Sequence, residues 1–182
     1  MRVLFYLDRL MHYHVATFQE LERRIEEGGG EFILVSGKKN EAETGRVGIS
    51  ESVVRQHIFI PYKEWIWGTY TVRSQPSLPH LIESVTPDVV IVMGHVGSLT
   101  YWRLGKLAKK LGFKYVTWQC GYEYNAGSLK HELTKRFFRL FDHHLAYNTT
   151  IVSMVAFSGH MFLGRGLRQG RCISTSTLVV LL

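Results

Sequence analysis

The sequence has 182 residues, 46% hydrophobic and 20% charged, which is ordinary globular material long enough for one domain with a proper core. Its net charge of +7 suits nucleic acid, an anionic membrane surface or a phosphorylated ligand, and carries no information on fold. Two cysteines, Cys120 and Cys172, build no disulfide framework, as in a reducing compartment, and no run of about 20 apolar residues crosses a membrane.

In chain order, "RVLFYL" (2–7) is an apolar, β-prone run. Asp8 and Arg9 follow and cut it too short for the core of a signal peptide, so a cytoplasmic chain is expected. A helix comes next, with Val15, Phe18, Leu21 and Ile25 on one face, and "GGG" (28–30) stops it. "EFILVSG" is a second buried strand and "KKNEAETGRVGISES" a polar surface loop. "VRQHIFIP" reads as a third strand ending at Pro61, and "YKEWIWGTYTVRSQPS" carries aromatics without a regular period and reads as mostly irregular. "LPHLIESV" is a short helix, and "DVVIVMG" a fourth strand.

A helix over 98–111 is predicted with Leu99, Trp102, Leu104, Leu107 and Leu111 inward, and Lys106, Lys109 and Lys110 outward, before Gly112 ends it. "KYVTWQCG" is a fifth strand. "SLKHELTKRFFRLF" is a basic amphipathic helix with Leu133, Phe137, Leu140 and Phe141 inward, and "HHLAYN" is a sixth strand. Near-continuous apolar strands alternating with helices predict an α/β fold, a Rossmann-like parallel sheet covered on both faces.

In such sheets ligands sit beyond the carboxyl ends of the strands, where strand order reverses. Gly94 and His95 stand at one such end. Gly94 would let a ligand approach the backbone, and His95 would offer it a donor or acceptor. The bland alternative is a turn glycine with a histidine capping the next helix. "TWQCGYEYN" gathers Trp118, Gly121, Tyr122, Glu123 and Tyr124 at another carboxyl end, a set that suits a sugar or a polyprenyl-linked acceptor. The alternative places Trp118 in the core and both tyrosines under a loop. The basic helix, with Lys130, Lys135, Arg136 and Arg139, fits anionic headgroups or a diphosphate, or is an ordinary solvated face.

Other chemistries find no support. No Gly-x-Gly-x-x-Gly follows the first strand and no Gly-Lys-Ser/Thr loop occurs, so NAD enzymes and P-loop NTPases are disfavoured and no cofactor is expected. The pairs His12/His14 and His143/His144 lack cysteines or carboxylates at ligand spacing, so no metal is expected. Cys120 has no evident base partner and reads as a small buried filler. Basic residues are dispersed over several helices without a recognised module, which ranks nucleic acid lowest.

Taken together, "RVLFYLDRLMHYHVATFQEL", "PDVVIVMGHVGSLTYWRLGKLAKKLGFKYVTWQCGYEYN" and "KHELTKRFFRLFDHHLAYNTT", with the order of elements joining them, resemble the N-terminal domain of a GT-B glycosyltransferase. The likeness is to the family 4 (group 1) type that builds bacterial surface polysaccharides, and it spans roughly residues 1–150. The resemblance implies a Rossmann-like acceptor-binding domain, with a nucleotide-sugar held by a second half and a saccharide or polyprenyl-linked acceptor held by this one. It implies that Asp8, Arg9, His12, Gly94, His95 and the loop bearing Trp118, Gly121, Tyr122 and Glu123 face the cleft. His95 stands where retaining members place a histidine near the transferred sugar. The donor half, with its Glu-x7-Glu-type motif, is missing, so the chain alone is expected to be inactive. A non-catalytic subunit pairing with a separate donor-binding chain at the membrane's inner face is the rival reading, and another kind of α/β nucleotide-binding protein is a third.

Residues 151–182 form an atypical tail. From His143 to Leu182 there is no Asp or Glu, against 15 in the 182-residue chain, an absence expected by chance about 3% of the time under uniform usage. A frameshifted or truncated gene, with authentic sequence ending near Asn148 to Ile151, is one hypothesis, and a genuine domain whose last strand is "STLVVLL" is the other. Translating the genomic DNA in its other frames separates them: the first fails if no donor-domain-like reading continues downstream.

Overall fold

The computed structural model describes residues 1–38, 51–68, 70–119, 128–146 and 178–180. In chain order these form β1 (Arg2–Leu7), a 3-10 turn (His12–His14), α1 (Val15–Glu27), β2 (Glu31–Lys38), β3 (His57–Pro61), β4 (Lys63–Trp67) and β5 (Tyr70–Ser74). There follow α2 (Leu78–Val85), β6 (Val89–Met93), α3 (Leu99–Leu111), β7 (Lys114–Gln119), α4 (Ser128–Phe138), β8 (His143–Ala146) and β9 (Leu178–Val180).

Side chains along β1 alternate between two cores, which is why the strand is apolar at nearly every position. Val3, Phe5 and Leu7 pack with Phe18 of α1, Phe32, Leu34 and Trp118. Leu4 and Tyr6 pack on the opposite face with Leu78 and Ile82 of α2, Tyr101 and Leu104 of α3, and Phe137 and Phe138 of α4. The sheet between them runs β3-β2-β1-β6-β7-β8-β9, and every neighbouring pair is parallel. The fold is thus the expected α/β Rossmann-like sheet with helices on both faces. The chain winds outward from β1 to β3, then returns to pair β6 on the other side of β1. Strand order therefore reverses between β1 and β6. Because all seven strands are parallel, their carboxyl ends share one rim.

Four details differ from the sequence reading. Residues 63–74 are a β-hairpin, β4 pairing antiparallel with β5 around Gly68 at φ +59°. β3 begins at His57, and Val54 is buried against the α1-side core ahead of it. On α3 the buried positions are Thr100, Tyr101, Leu104, Gly105 and Ala108, while Leu99 and Leu111, in the first and last turns, are 49% and 44% exposed. Gly105 sets that face: a Cβ there would lie 3.0 Å from Leu140, so the glycine lets Leu140 settle onto the helix. On the chain through α4, Thr134, Phe137, Phe138 and Phe141 are buried at i, i+3, i+4 and i+7, and Leu133, outside that stripe, is exposed.

The seventh strand, β9, lies beside β8 with His144 opposite Leu178. The remainder of 147–182 falls outside the described residues.

Candidate functional site

The rim is built where β1, β6 and β7 end. Met93, the last residue of β6, is opposite Trp118 in β7, and the Gly94 amide donates to the Trp118 carbonyl at 2.9 Å. The two sequence candidates His95 and Trp118 therefore lie at the same end of the molecule. His95 begins a tight turn closed by the Ser98 amide donating to the His95 carbonyl at 3.0 Å, and α3 starts directly after it. The first turn of α3 carries no acidic residue of its own, and Tyr101 in that turn faces the Asp8 carboxylate.

The hairpin holds that turn from outside. The Arg73 amide donates to the Gly97 carbonyl at 2.9 Å, and a Cβ on Gly97 would stand 2.2 Å from the Thr71 carbonyl oxygen. Only glycine allows the ribbon this close. The Arg73 side chain then reaches inward, donating to Asp8 at 2.9 Å and to Glu64 at 2.6 Å. Asp8 also accepts from the Gln75 amide at 2.9 Å and the Tyr101 hydroxyl at 3.2 Å. The cluster continues in the buried interior as Ser98 donates to the Gln75 side-chain carbonyl at 3.1 Å, and the Gln75 backbone amide donates to the Thr100 hydroxyl at 2.8 Å.

Electrostatics agree with this geometry. Burial works against the Arg73 charge, but Asp8 and Glu64 outweigh it, and the guanidinium pKa is raised. Burial first, and Asp8 second, push the Tyr6 and Tyr101 phenols up, so Tyr101 stays a neutral donor. Two carboxylates against one guanidinium would be an unfavourable buried set if Asp8 had no further partners; the Gln75 and Tyr101 donors supply them.

The remaining candidates fall in three places. Arg9 is half-buried and donates to the Tyr62 hydroxyl at 3.3 Å, and His12 is exposed on the 3-10 turn. Trp118 is 3% exposed and packs edge-on against Phe5, with ring centroids 5.1 Å apart, and beside His14 at 5.6 Å. Its indole thus belongs to the α1-side core, while its backbone carbonyl anchors Gly94. Gly121, Tyr122 and Glu123, with Cys120, lie outside the described residues.

Sequence reasoning missed Arg73, Glu64 and Gln75, because the segment that carries them, the hairpin and the residue after it, was read as irregular. The available signal was the β-prone, aromatic run on either side of Gly68. Among the described residues, no group of three or more histidine, cysteine or acidic side chains is placed to hold a metal ion.

The parallel sheet, whose rim opens at the reversal between β1 and β6, has the Rossmann-like fold of one GT-B domain. Among solved structures, MurG of Acinetobacter baumannii aligns with a TM-score of 0.50 and 9% identity, over 82% of this chain and 42% of that one. An alpha-glucosyltransferase in complex with UDP aligns at 0.42 and 13%, over 99% of this chain and 43% of that one. The same enzyme type with UDP and a 13-mer DNA containing a central A:G mismatch aligns at 0.42 and 18%, over 82% and 37%. The chain spans about two fifths of the length of each, and at these identities the likeness concerns fold alone. No family model and no curated protein matches the sequence.

Proposed function

We propose that residues 1–150 are the acceptor-binding lobe of a glycosyltransferase that moves a sugar from a nucleotide-sugar to a saccharide or polyprenyl-linked acceptor in bacterial surface polysaccharide synthesis. One observation carries the reading: the β1 end at Asp8 and the β6 end at Gly94–His95 flank the strand-order reversal on one rim. In this reading Gly94, His95, Arg9 and His12 meet ligand, together with the loop bearing Gly121, Tyr122 and Glu123. Asp8 and Trp118 act from behind, Asp8 by fixing the hairpin and Trp118 by fixing Gly94. His95 hydrogen-bonds a hydroxyl of the sugar or acceptor. A cleft enzyme gains its rate by positioning both substrates, so a lobe without a donor site turns nothing over.

The basic helix α4 supports peripheral contact with the inner face of a membrane, since Arg136 and Arg139 are exposed while Phe137 and Phe138 face inward. Among the described residues no helix is long and apolar enough to cross a membrane.

A thermal-shift screen across saccharides, polyprenyl phosphates and sugar nucleotides tests the proposal. Stabilisation by an acceptor-type ligand is expected, with sugar transfer appearing only when a donor-binding chain is added. Robust transfer by this chain alone would refute the half-site view.

A further inference from the structure

The hairpin exposes more large apolar surface than any other described element: Trp65, Ile66, Trp67 and Tyr70 are 42%, 65%, 71% and 64% exposed. The ladder registers sort these residues. Glu64 pairs with Arg73 and Ile66 with Thr71, so these four share one face of the ribbon, the face through which Arg73 reaches Asp8. Trp65 pairs with Val72 and Trp67 with Tyr70, and Lys63 shares their parity. The opposite face is therefore Lys63, Trp65, Trp67, Tyr70, Val72 and Ser74, with no acid on it. The one acid of the ribbon, Glu64, is on the anchored face and paired with Arg73.

Two indoles and a phenol have an apolar body and a polar edge, the combination that settles at the headgroup boundary of a bilayer, and a lysine beside them complements anionic lipid. The ribbon is also held stiffly at its base, by Arg73 to Asp8 and by the Arg73 amide to Gly97, so the rings need no ordering before they insert. A second copy of the chain fits less well. Three aromatic side chains at these exposures offer about 350 Å², against roughly 800 Å² per partner in a stable interface.

We infer that the β4–β5 hairpin is a membrane-docking element, whose Lys63, Trp65, Trp67 and Tyr70 face seats in the interfacial layer of an anionic bilayer. This deepens the membrane part of the function proposed above and places its contact on the rim that carries His95. A lipid-linked acceptor would then enter the rim from the surface on which the hairpin rests.

The full chain is mixed with phosphatidylcholine vesicles containing roughly a third phosphatidylglycerol, with no acceptor or nucleotide present. Binding is read by co-sedimentation and by quenching of tryptophan emission with acyl-chain-brominated lipid. Trp118 is buried and Trp102 donates to the Val96 carbonyl at 2.9 Å, so quenching reports the hairpin indoles. Vesicle binding with quenching is expected, and W65S/W67S should weaken binding about tenfold or more while leaving the melting temperature unchanged. K63E should weaken binding to anionic vesicles specifically. The inference is overturned if W65S/W67S binds as the parent does, or if the hairpin instead drives concentration-dependent dimerisation that the double variant removes. Vesicle binding through the hairpin in a chain that responds to no acceptor or sugar nucleotide would uphold this inference and sink the transferase reading.

Discussion

The Arg73 guanidinium donates to an Asp8 carboxylate oxygen at 2.9 Å, joining the end of β1 to a hairpin 65 residues further along the chain. That contact is the inner bolt of the rim. The Asp8 side chain is 6% exposed and that of Arg73 24%, so neither charge has enough water to stand alone.

Removing one side of the bolt should therefore cost more than a surface ion pair would. For Asp8→Ala, with Arg73 still paired to Glu64, the expected loss is about 2–3 kcal/mol. For Arg73→Ala, which strips two buried carboxylates of their cation, the loss should be larger still. Denaturant melts of both variants check the order; equal and small effects would show that the cluster is solvated.

The Gly97 turn tolerates no side chain. A Cβ 2.2 Å from the Thr71 carbonyl must displace the backbone of β5, because no rotamer change on the partner can make room. Gly97→Ala should lower stability by about 2–4 kcal/mol and loosen the hairpin, seen as faster amide exchange at Arg73. Unchanged exchange would mean that the hairpin is not seated on the turn.

Gly105 predicts a contrast. Alanine there meets Leu140 Cβ and Cδ2 at 3.0 Å, and a Cβ moves only with its backbone, so the gain of about 1 kcal/mol of helix propensity is offset and Gly105→Ala should cost about 1 kcal/mol or less. Gly105→Val has no such compensation and should cost about 2 kcal/mol or more. Equal melting temperatures for the two variants would contradict the close approach of Leu140 to α3.

His57 gives the fold an acid-sensitive edge. Burial pushes its pKa down to about 4, its Nε2 lies 2.9 Å from the Ser36 hydroxyl, and its Nδ1 accepts from the Val53 amide at 3.4 Å. Protonation would remove that acceptor. Between the ordinary value of 6.5 and about 4 the unfolded chain binds a proton that the folded chain does not, so stability rises with pH across this window. The contribution, reduced because solvent reaches the ring, is about 1–2 kcal/mol, fully present above the window and lost as pH falls through it. His57→Gln should flatten the stability profile over that range, and an unchanged slope would assign the effect elsewhere.

His95→Ala leaves the backbone hydrogen bonds of the turn in place. In a reconstituted two-lobed enzyme, loss of one hydrogen bond from His95 should lower transfer about tenfold. Full activity of the variant would remove His95 from the site.

Much of this architecture was legible in the sequence because buried parallel strands leave unbroken apolar runs. "RVLFYL", "EFILVSG" and "DVVIVMG" are each apolar on both faces, and all three became sheet strands. The rim position of Gly94–His95 followed from the same logic. The hairpin was not legible, since a two-stranded ribbon with aromatics on one face and polar anchors on the other mimics an irregular aromatic loop. The direction of a helix depends on its neighbours, which no single-helix pattern contains. Hence Leu99 and Leu133 were placed inward, whereas Gly105 and Thr134 are the positions that contact the body. The Asp8 cluster was hidden for a related reason: its members are scattered from Asp8 to Tyr101 and meet only after folding.

The interior place of β1, between β2 and β6, bears on how the chain is made. Val3 pairs with Phe32 on one side, but its other neighbour, Val89, leaves the ribosome much later. During synthesis the first strand therefore waits with one hydrogen-bonding edge bare, a template for stray pairing. A nascent chain stalled before Met93 should be an avid chaperone client, and release should come only once α3 and β7 have covered β6.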